Sequence, residues 1–171
     1  MELLDVYDNY GNATGRTIIR GDKTASLAEN EHIALAVIFI ENDKGEFLIQ
    51  KTSKEKGGMF SSTGGHVNSG ETPLISIKRE VKEELGINID YDDIEECGFL
   101  LYDKPLRYLY YLKKDIPLEE ISIQEEEVEN VQYMSISKIN ELINNDQMLK
   151  SHGFLFNELM KKRKTHTKRE K

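Results

Sequence analysis

The 171-residue chain has no tryptophan, one cysteine and three prolines. A single thiol, Cys97, can form neither an internal disulfide nor a thiolate zinc site by itself. Its Glu95-Glu96-Cys97-Gly98 setting offers no base to ionise it, so it reads as an inert core thiol. Apolar runs are short, none approaching the roughly 20 residues a membrane-spanning helix requires. With 38% hydrophobic and 32% charged residues, the composition is that of a globular protein without a membrane span. Met1 to Tyr7 carry neither a basic stretch nor a long apolar one, so no secretory signal is read and a cytoplasmic location is expected. Positive charge is scarce except at one end. The net charge is −8, yet Lys161 to Lys171 hold seven Lys or Arg against Glu170, which leaves −14 on Met1 to Met160. So acidic a body repels polyanions, which argues against general nucleic-acid binding; a phosphate-bearing substrate needs a metal or a local basic patch to approach it. The basic stretch at 161–171 lacks an apolar stripe and is expected to be a solvated tail, with contact to RNA or an anionic surface as the alternative.

At this length one domain is the default, assigned to 1–160. Apolar stretches alternating with turn signals predict a β-hairpin over 1–24, ahead of a core over 30–160. His32 to Ile40 is rich in Ile, Val, Ala and Phe and reads as a central strand, hairpin-linked through Asn42-Asp43-Lys44-Gly45 to Glu46 to Lys51. A loop from Thr52 to Gly58 leads to the pair Gly64-Gly65. A helical pattern then runs from about Glu71 to Leu85 and stops at Gly86. Ile94 to Tyr102, Leu106 to Lys113 and Val128 to Met134 read as strands. Ser135 to Asn144 and Phe154 to about Lys162 read as helices. This order is neither regular βαβ alternation nor all-β, so the class is α+β or a mixed α/β sandwich.

The helix after the glycine pair is the segment that breaks local rules. At 100° per residue, with Glu80 at zero, Leu74, Ile77, Val81 and Leu85 form one apolar stripe, and Glu80, Glu83 and Glu84 share the edge beside it. Glu80 and Glu84 are like charges at i and i+4, and Glu83 and Glu84 sit in the last turn, where the helix dipole favours cations. Arg79 can relieve part of this by pairing with Glu83, and many acid-rich helix faces are simply solvated surface. A hard divalent cation removes the conflict more completely. Mg²⁺ binds through a few carboxylates, takes water and substrate phosphate as its other ligands, and would bridge an acidic protein to an anionic substrate. The glycine pair gives a backbone able to approach the same place closely.

The spacing Gly65, five residues, Glu71, seven residues, Arg79-Glu80-Val81, one residue, Glu83-Glu84, one residue, Gly86-Ile87 resembles the box of the Nudix hydrolases at every defined position. That resemblance implies an α/β/α sandwich around a mixed sheet, preceded here by the N-terminal hairpin, with the box as a loop-helix-loop. It implies that Glu80, Glu83 and Glu84 are metal-binding carboxylates, with the Gly65 carbonyl a further ligand and Mg²⁺, or Mn²⁺ in its place, as cofactor. Glu71 would orient the loop or hold a second metal, and Arg79 would buttress the glutamates. The implied reaction is attack of water on phosphorus in a small-molecule diphosphate, often a nucleoside diphosphate linked to another moiety, by a monomer or homodimer.

Phe60 and Thr63 stand where many members of the family have Trp and Pro. Ser62-Thr63-Gly64-Gly65-His66-Val67, with Asp5-Val6-Tyr7-Asp8 and Gly15-Arg16-Thr17, is similar instead to the branch containing isopentenyl-diphosphate isomerase. That isomerase needs a cysteine directly before the Gly-His pair, where this chain has Gly64. Of its histidine cluster, only His66 and His32 find matches, and Ala25 stands near the place of a third. An isomerase-like enzyme or a non-catalytic ligand-binding module are therefore the alternatives to hydrolysis. His66 is a candidate for substrate contact, and Phe60, Tyr102 and Tyr108 for base stacking. The general base is expected outside the box, in Glu125-Glu126-Glu127, with Glu126 the choice and Glu80 its rival.

Overall fold

In the computed structural model, which describes residues 2–170 with side chains as far as Arg163, the N-terminal alternation folds as an antiparallel hairpin of β1 (Leu3–Tyr7) and β2 (Ala13–Ile19). The apolar strand β3 (Ala34–Glu41) lies inside a seven-stranded mixed sheet and is buried almost throughout. It runs parallel to β8 (Leu106–Lys113), which pairs antiparallel with β7 (Glu95–Leu101) at one edge. β4 (Phe47–Thr52) pairs with β9 (Val128–Met134) and with the short β5 (Phe60–Ser61).

The expected hairpin of β3 and β4 opens after one residue pair, Glu41 with Phe47. The reason is an element that sequence periodicity could not show. β6 (Thr63–His66) takes the edge of β3, pairing Gly64 with Val37 and Gly65 with Ala36. A Cβ on Gly64 would collide with the Ala36 carbonyl oxygen, so the first glycine is what lets β6 lie there.

Helix α1 (Pro73–Leu85) starts at Thr72, whose side chain accepts from the Ile75 N–H, has Pro73 in its first turn, and ends at Gly86 in the left-handed region with φ 69°. Its stripe of Ile77, Val81 and Leu85 is fully buried against one sheet face, with Ala36, Ile38, Ile40 and Tyr110 beneath. Each such burial is worth roughly 1.5–3 kcal/mol, which fixes the rotation of α1 and so the direction of its acidic edge. Helices α2 (Ile136–Asn144) and α3 (Lys150–Glu170) cover the other face through Ile139, Leu142, Leu155, Phe156 and Leu159. The result is the expected α/β/α sandwich. Of the residues read as a solvated tail, Arg163 is anchored, pairing with Glu41 at 3.1 Å and lying over the Tyr111 ring at 4.4 Å; the backbone of α3 is helical to Glu170, and the side chains after Arg163 lie outside the described ones. That contact needed long-range placement of β3 and β8, which an apolar-stripe test does not see. Among the described residues, no helix is long and apolar enough to cross a membrane.

Candidate active site

The box loop is clasped by one ion-pair hub. Glu71 accepts from the Asn68 N–H at 3.0 Å and from Arg79 Nε and Nη2 at 2.7 and 3.0 Å. Burial pushes the Glu71 carboxyl up, but these donors outweigh it and hold the group below its ordinary range. Arg79 also donates to the His66 carbonyl, to Glu80 at 2.9 Å and to Glu83 at 3.2 Å. Hydrogen bonding to Glu71 raises the guanidinium further above its ordinary value. Glu71 is therefore the fastener of the loop, with both oxygens engaged, and it does not line the cavity beside α1.

That cavity, of about 290 Å³, is bordered by Gly64, Gly65 and His66 of β6, by Arg79, Glu80, Glu83 and Glu84 of α1, and by Glu2, Arg20, Asn68, Gln124 and Glu127. The helix register places Glu80 and Glu84 toward β6, while Glu83 turns outward to Arg79 with half of its side chain exposed. A Cβ on Gly65 would collide with the Glu80 carboxylate, so the second glycine makes room for that acid. Burial raises Glu80 to about 6. Burial, helped by the charge of Glu80, raises Glu84 to about 8, against donors at Gln50 and the Gly64 backbone. Two carboxyl groups thus share a desolvated corner and oppose each other's ionisation. Among the described residues, no three His, Cys, Asp or Glu side chains already meet in ligand geometry. His66 is lowered to about 4 by burial and by Arg20, which leaves a neutral imidazole on the wall.

Several residues stand elsewhere than the sequence predicts. Of the acidic run, Glu127 reaches the cavity, whereas Glu126 borders a separate surface hollow with Ser53, Lys54, Glu55 and Glu125. The turn closed by Val128 N–H to Gln124 carbonyl at 2.8 Å sets which side chain faces inward, and spacing could not reveal it. The three aromatics do not line the cavity. Phe60 packs toward the face carrying α2 and α3, Tyr102 stacks on Phe154 at 4.9 Å, and Tyr108 lies between Tyr7 and Phe99 on the α1 face. His32 is buried and held by the Lys104 carbonyl and Asn9, and among the described residues no histidine cluster forms. Cys97 stands in β7, partly buried against the α2/α3 side and not in the core as expected, its thiol pushed up to about 11 by burial and Glu95.

Two contributors escape sequence reasoning. Gln50 donates to Glu84 at 3.2 Å and accepts from Thr63 Oγ1 at 3.3 Å. Its signal was a polar residue within Phe47-Leu48-Ile49-Gln50, a buried strand that should carry none. Arg20 and Glu2 come from the hairpin end. Nothing local marks them, because the fold-back of residues 2–20 onto the box loop brings them there.

Comparison with known proteins fits this geometry. A model of the NUDIX domain matches residues 30–152. The chain is 33% identical over 146 residues to an uncharacterized Nudix hydrolase from Listeria innocua, covering 83% of this chain and 85% of that one. It is also 30% identical over 94 residues, 53% of this chain and 50% of the relative, to an isopentenyl-diphosphate Delta-isomerase from Corynebacterium diphtheriae. DR0079 from Deinococcus radiodurans shares the fold, with a TM-score of 0.75 at 19% identity over 91% of this chain and 98% of that one. The chain belongs to the Nudix hydrolase family. Its members are hydrolases acting on pyrophosphate bonds, and they generally need divalent metal ions.

Proposed function

We propose that this protein is a Mg²⁺-dependent hydrolase of a diphosphate linkage, in a nucleoside diphosphate or one linked to another moiety. The observation that supports it most is the paired burial of Glu80 and Glu84 against a glycine strand, at the wall of a polar cavity. The donor set fits the metal: a few hard carboxylate oxygens with open cavity beside them are what Mg²⁺ takes, leaving its remaining positions to water and phosphate. Glu80 and Glu84 would hold it, with Glu83 at the rim and the Gly65 carbonyl alongside. When bound, the metal neutralises and orients the diphosphate and makes a bound water more acidic.

The chain's own groups do the rest. Arg79 fixes Glu80 and Glu83 and ties them, through Glu71, to the loop, so the acids meet the substrate without reorganising. Gln50 and the Gly64 N–H hold the Glu84 carboxylate in a fixed orientation for ligation. Glu127 is the carboxylate outside the box that takes the proton from the attacking water, in place of Glu126.

The isomerase alternative lacks an acid or base at Gly64, and the binding-module alternative does not account for an intact box. Incubation with nucleoside diphosphates, nucleotide sugars, dinucleotides and prenyl diphosphates, followed by mass spectrometry, tests the reading. Cleavage is expected with Mg²⁺ or Mn²⁺ and none in EDTA. Full activity in excess EDTA would refute it.

A further inference from the structure

Arg20 lies outside the stretch that matches the family model, yet it borders the same cavity as the box acids. The hairpin that carries it is fastened to the box loop. Ser69 N–H donates to the Leu3 carbonyl at 2.7 Å, and Ser69 Oγ and Gly70 N–H donate to Asp5 at 2.7 and 3.2 Å. Arg20 N–H in turn donates to the Glu2 carbonyl at 2.9 Å, so its backbone has a fixed place at the cavity mouth.

The charge inventory of the wall sets Arg20 apart. Five glutamates and two arginines border the cavity, and His66 is neutral. Arg79 is consumed by Glu71, Glu80 and Glu83. Arg20 is, among the described lining residues, the cation not bound to a box carboxylate. Its ion-pair partner among the described residues is Glu2 at 2.8 Å, and both side chains are half exposed, at 50% and 51%. Exchange of so exposed a pair for a phosphate costs little, since such pairs are worth about 0–1 kcal/mol. The wall is also polar throughout. Apart from the His66 imidazole none of its side chains is aromatic or aliphatic, so a sugar or base capping the diphosphate finds little there to pack against. A free terminal phosphate carries more charge than a doubly esterified one and suits a guanidinium fork.

We infer that Arg20 is a substrate-binding residue that selects diphosphates with a free terminal phosphate over capped ones, and that Glu2 holds it in place until the phosphate displaces it. The inference rests on the reading of this cavity as a diphosphate site. Its test combines two measurements on the full chain with Mg²⁺: calorimetric titration with methylenediphosphonate, and kinetics on nucleoside diphosphates and nucleotide sugars. Arg20→Met should weaken methylenediphosphonate and raise KM for nucleoside diphosphates by about tenfold or more, the loss of a charge-assisted contact. Its kcat should change less than its KM, and the KM increase for nucleotide sugars should be several-fold smaller than for nucleoside diphosphates. Arg20→Lys should fall between. Glu2→Gln should tighten methylenediphosphonate, whereas a merely structural ion pair would make Arg20→Met and Glu2→Gln shift in the same direction. Unchanged methylenediphosphonate affinity in Arg20→Met, equal losses for capped and free substrates, or parallel shifts in the two variants would overturn the assignment. If the wild type cleaves no diphosphate, the hydrolase reading fails, and the titration still decides Arg20.

Discussion

Replacing Glu84 by Gln tests the most unusual electrostatic feature of the fold. Burial and the neighbouring Glu80 raise the Glu84 carboxyl to about 8 from an ordinary 4.5. An acid raised on folding binds its proton more tightly in the native state, so without metal, stability falls as pH climbs from the unfolded value toward the folded one. Glu80, raised to about 6, acts in the same sense at lower pH. His66 and His152, both lowered to about 4 by burial, act in the opposite sense between about 4 and their ordinary 6.5. From pH 6.5 to 8 only the upper half of the histidine titration remains in the unfolded chain, so Glu84 makes the largest contribution there and sets the sign of the slope. One pH unit corresponds to at most about 1.4 kcal/mol; Glu84 removes just under about 2 kcal/mol across the window and the two histidines offset about half of it, so the metal-free protein should lose about 1 kcal/mol. For a chain of this size that is about 2–4 °C in Tm. Thermal unfolding in EDTA should show this slope in the wild type and its disappearance in Glu84→Gln, which should be the more stable of the two at pH 8. Saturating Mg²⁺ should flatten or reverse the wild-type slope, because ionised carboxylates are its ligands. A wild-type Tm that rises from pH 6.5 to 8 in EDTA, or an unchanged slope in Glu84→Gln, would refute the reasoning.

Four further outcomes follow from the same geometry. Gly65→Ala should displace Glu80 and lower kcat/KM by more than tenfold while the circular dichroism of the fold persists; near-normal activity would show that the close approach is not needed. Glu127→Gln should cut kcat steeply with little change in Mn²⁺ affinity, whereas Glu126→Gln should stay near wild type. The reverse ranking would return the base to the surface-facing member of the run. Gln50→Leu removes the donor to Glu84 and should cost about 1–3 kcal/mol at pH 8 without metal, read as a lower Tm, together with weaker Mg²⁺ activation. Truncation after Met160 should leave turnover of small diphosphates unaltered and lower Tm by a few degrees, through the loss of Arg163 from Glu41 and Tyr111. A large loss of turnover would place the C-terminal residues at the active site.

The architecture was legible where one residue pattern served one face. Leu74, Ile77, Val81 and Leu85 set the rotation of α1 and Gly86 stops it, so the acidic edge follows from the sequence; the start, expected at about Glu71, falls at Pro73 behind the Thr72 cap. The strands Leu106–Lys113 and Val128–Met134 matched to the residue. Long-range juxtaposition was not legible. β6 is four residues with two glycines and carries no alternation, yet its backbone separates β3 from β4 and seats Glu80. Glu127 rather than Glu126 reaches the cavity because of a tight turn whose register spacing does not encode. Phe60, Tyr102 and Tyr108 met the chemical description of a stacking residue, but Phe60 and Tyr102 are delivered to the side of α2 and α3 and Tyr108 to the α1 face, none of them to the cavity wall. Arg20 had no local signal at all, since only the docking of the hairpin on Asn68-Ser69-Gly70 brings it to the cavity.

The central claim is that this chain adds water across a diphosphate bond at a metal site built by Glu80 and Glu84. The most direct measurement is turnover in ¹⁸O-enriched water with Mg²⁺, with products resolved by mass spectrometry, for the wild type and Glu84→Gln. One labelled oxygen in a single phosphate product is expected from the wild type, with turnover falling by orders of magnitude in the variant. Isopentenyl diphosphate returned as an isomer of unchanged mass, with no cleavage of any other diphosphate, or full labelling by Glu84→Gln, would contradict the account.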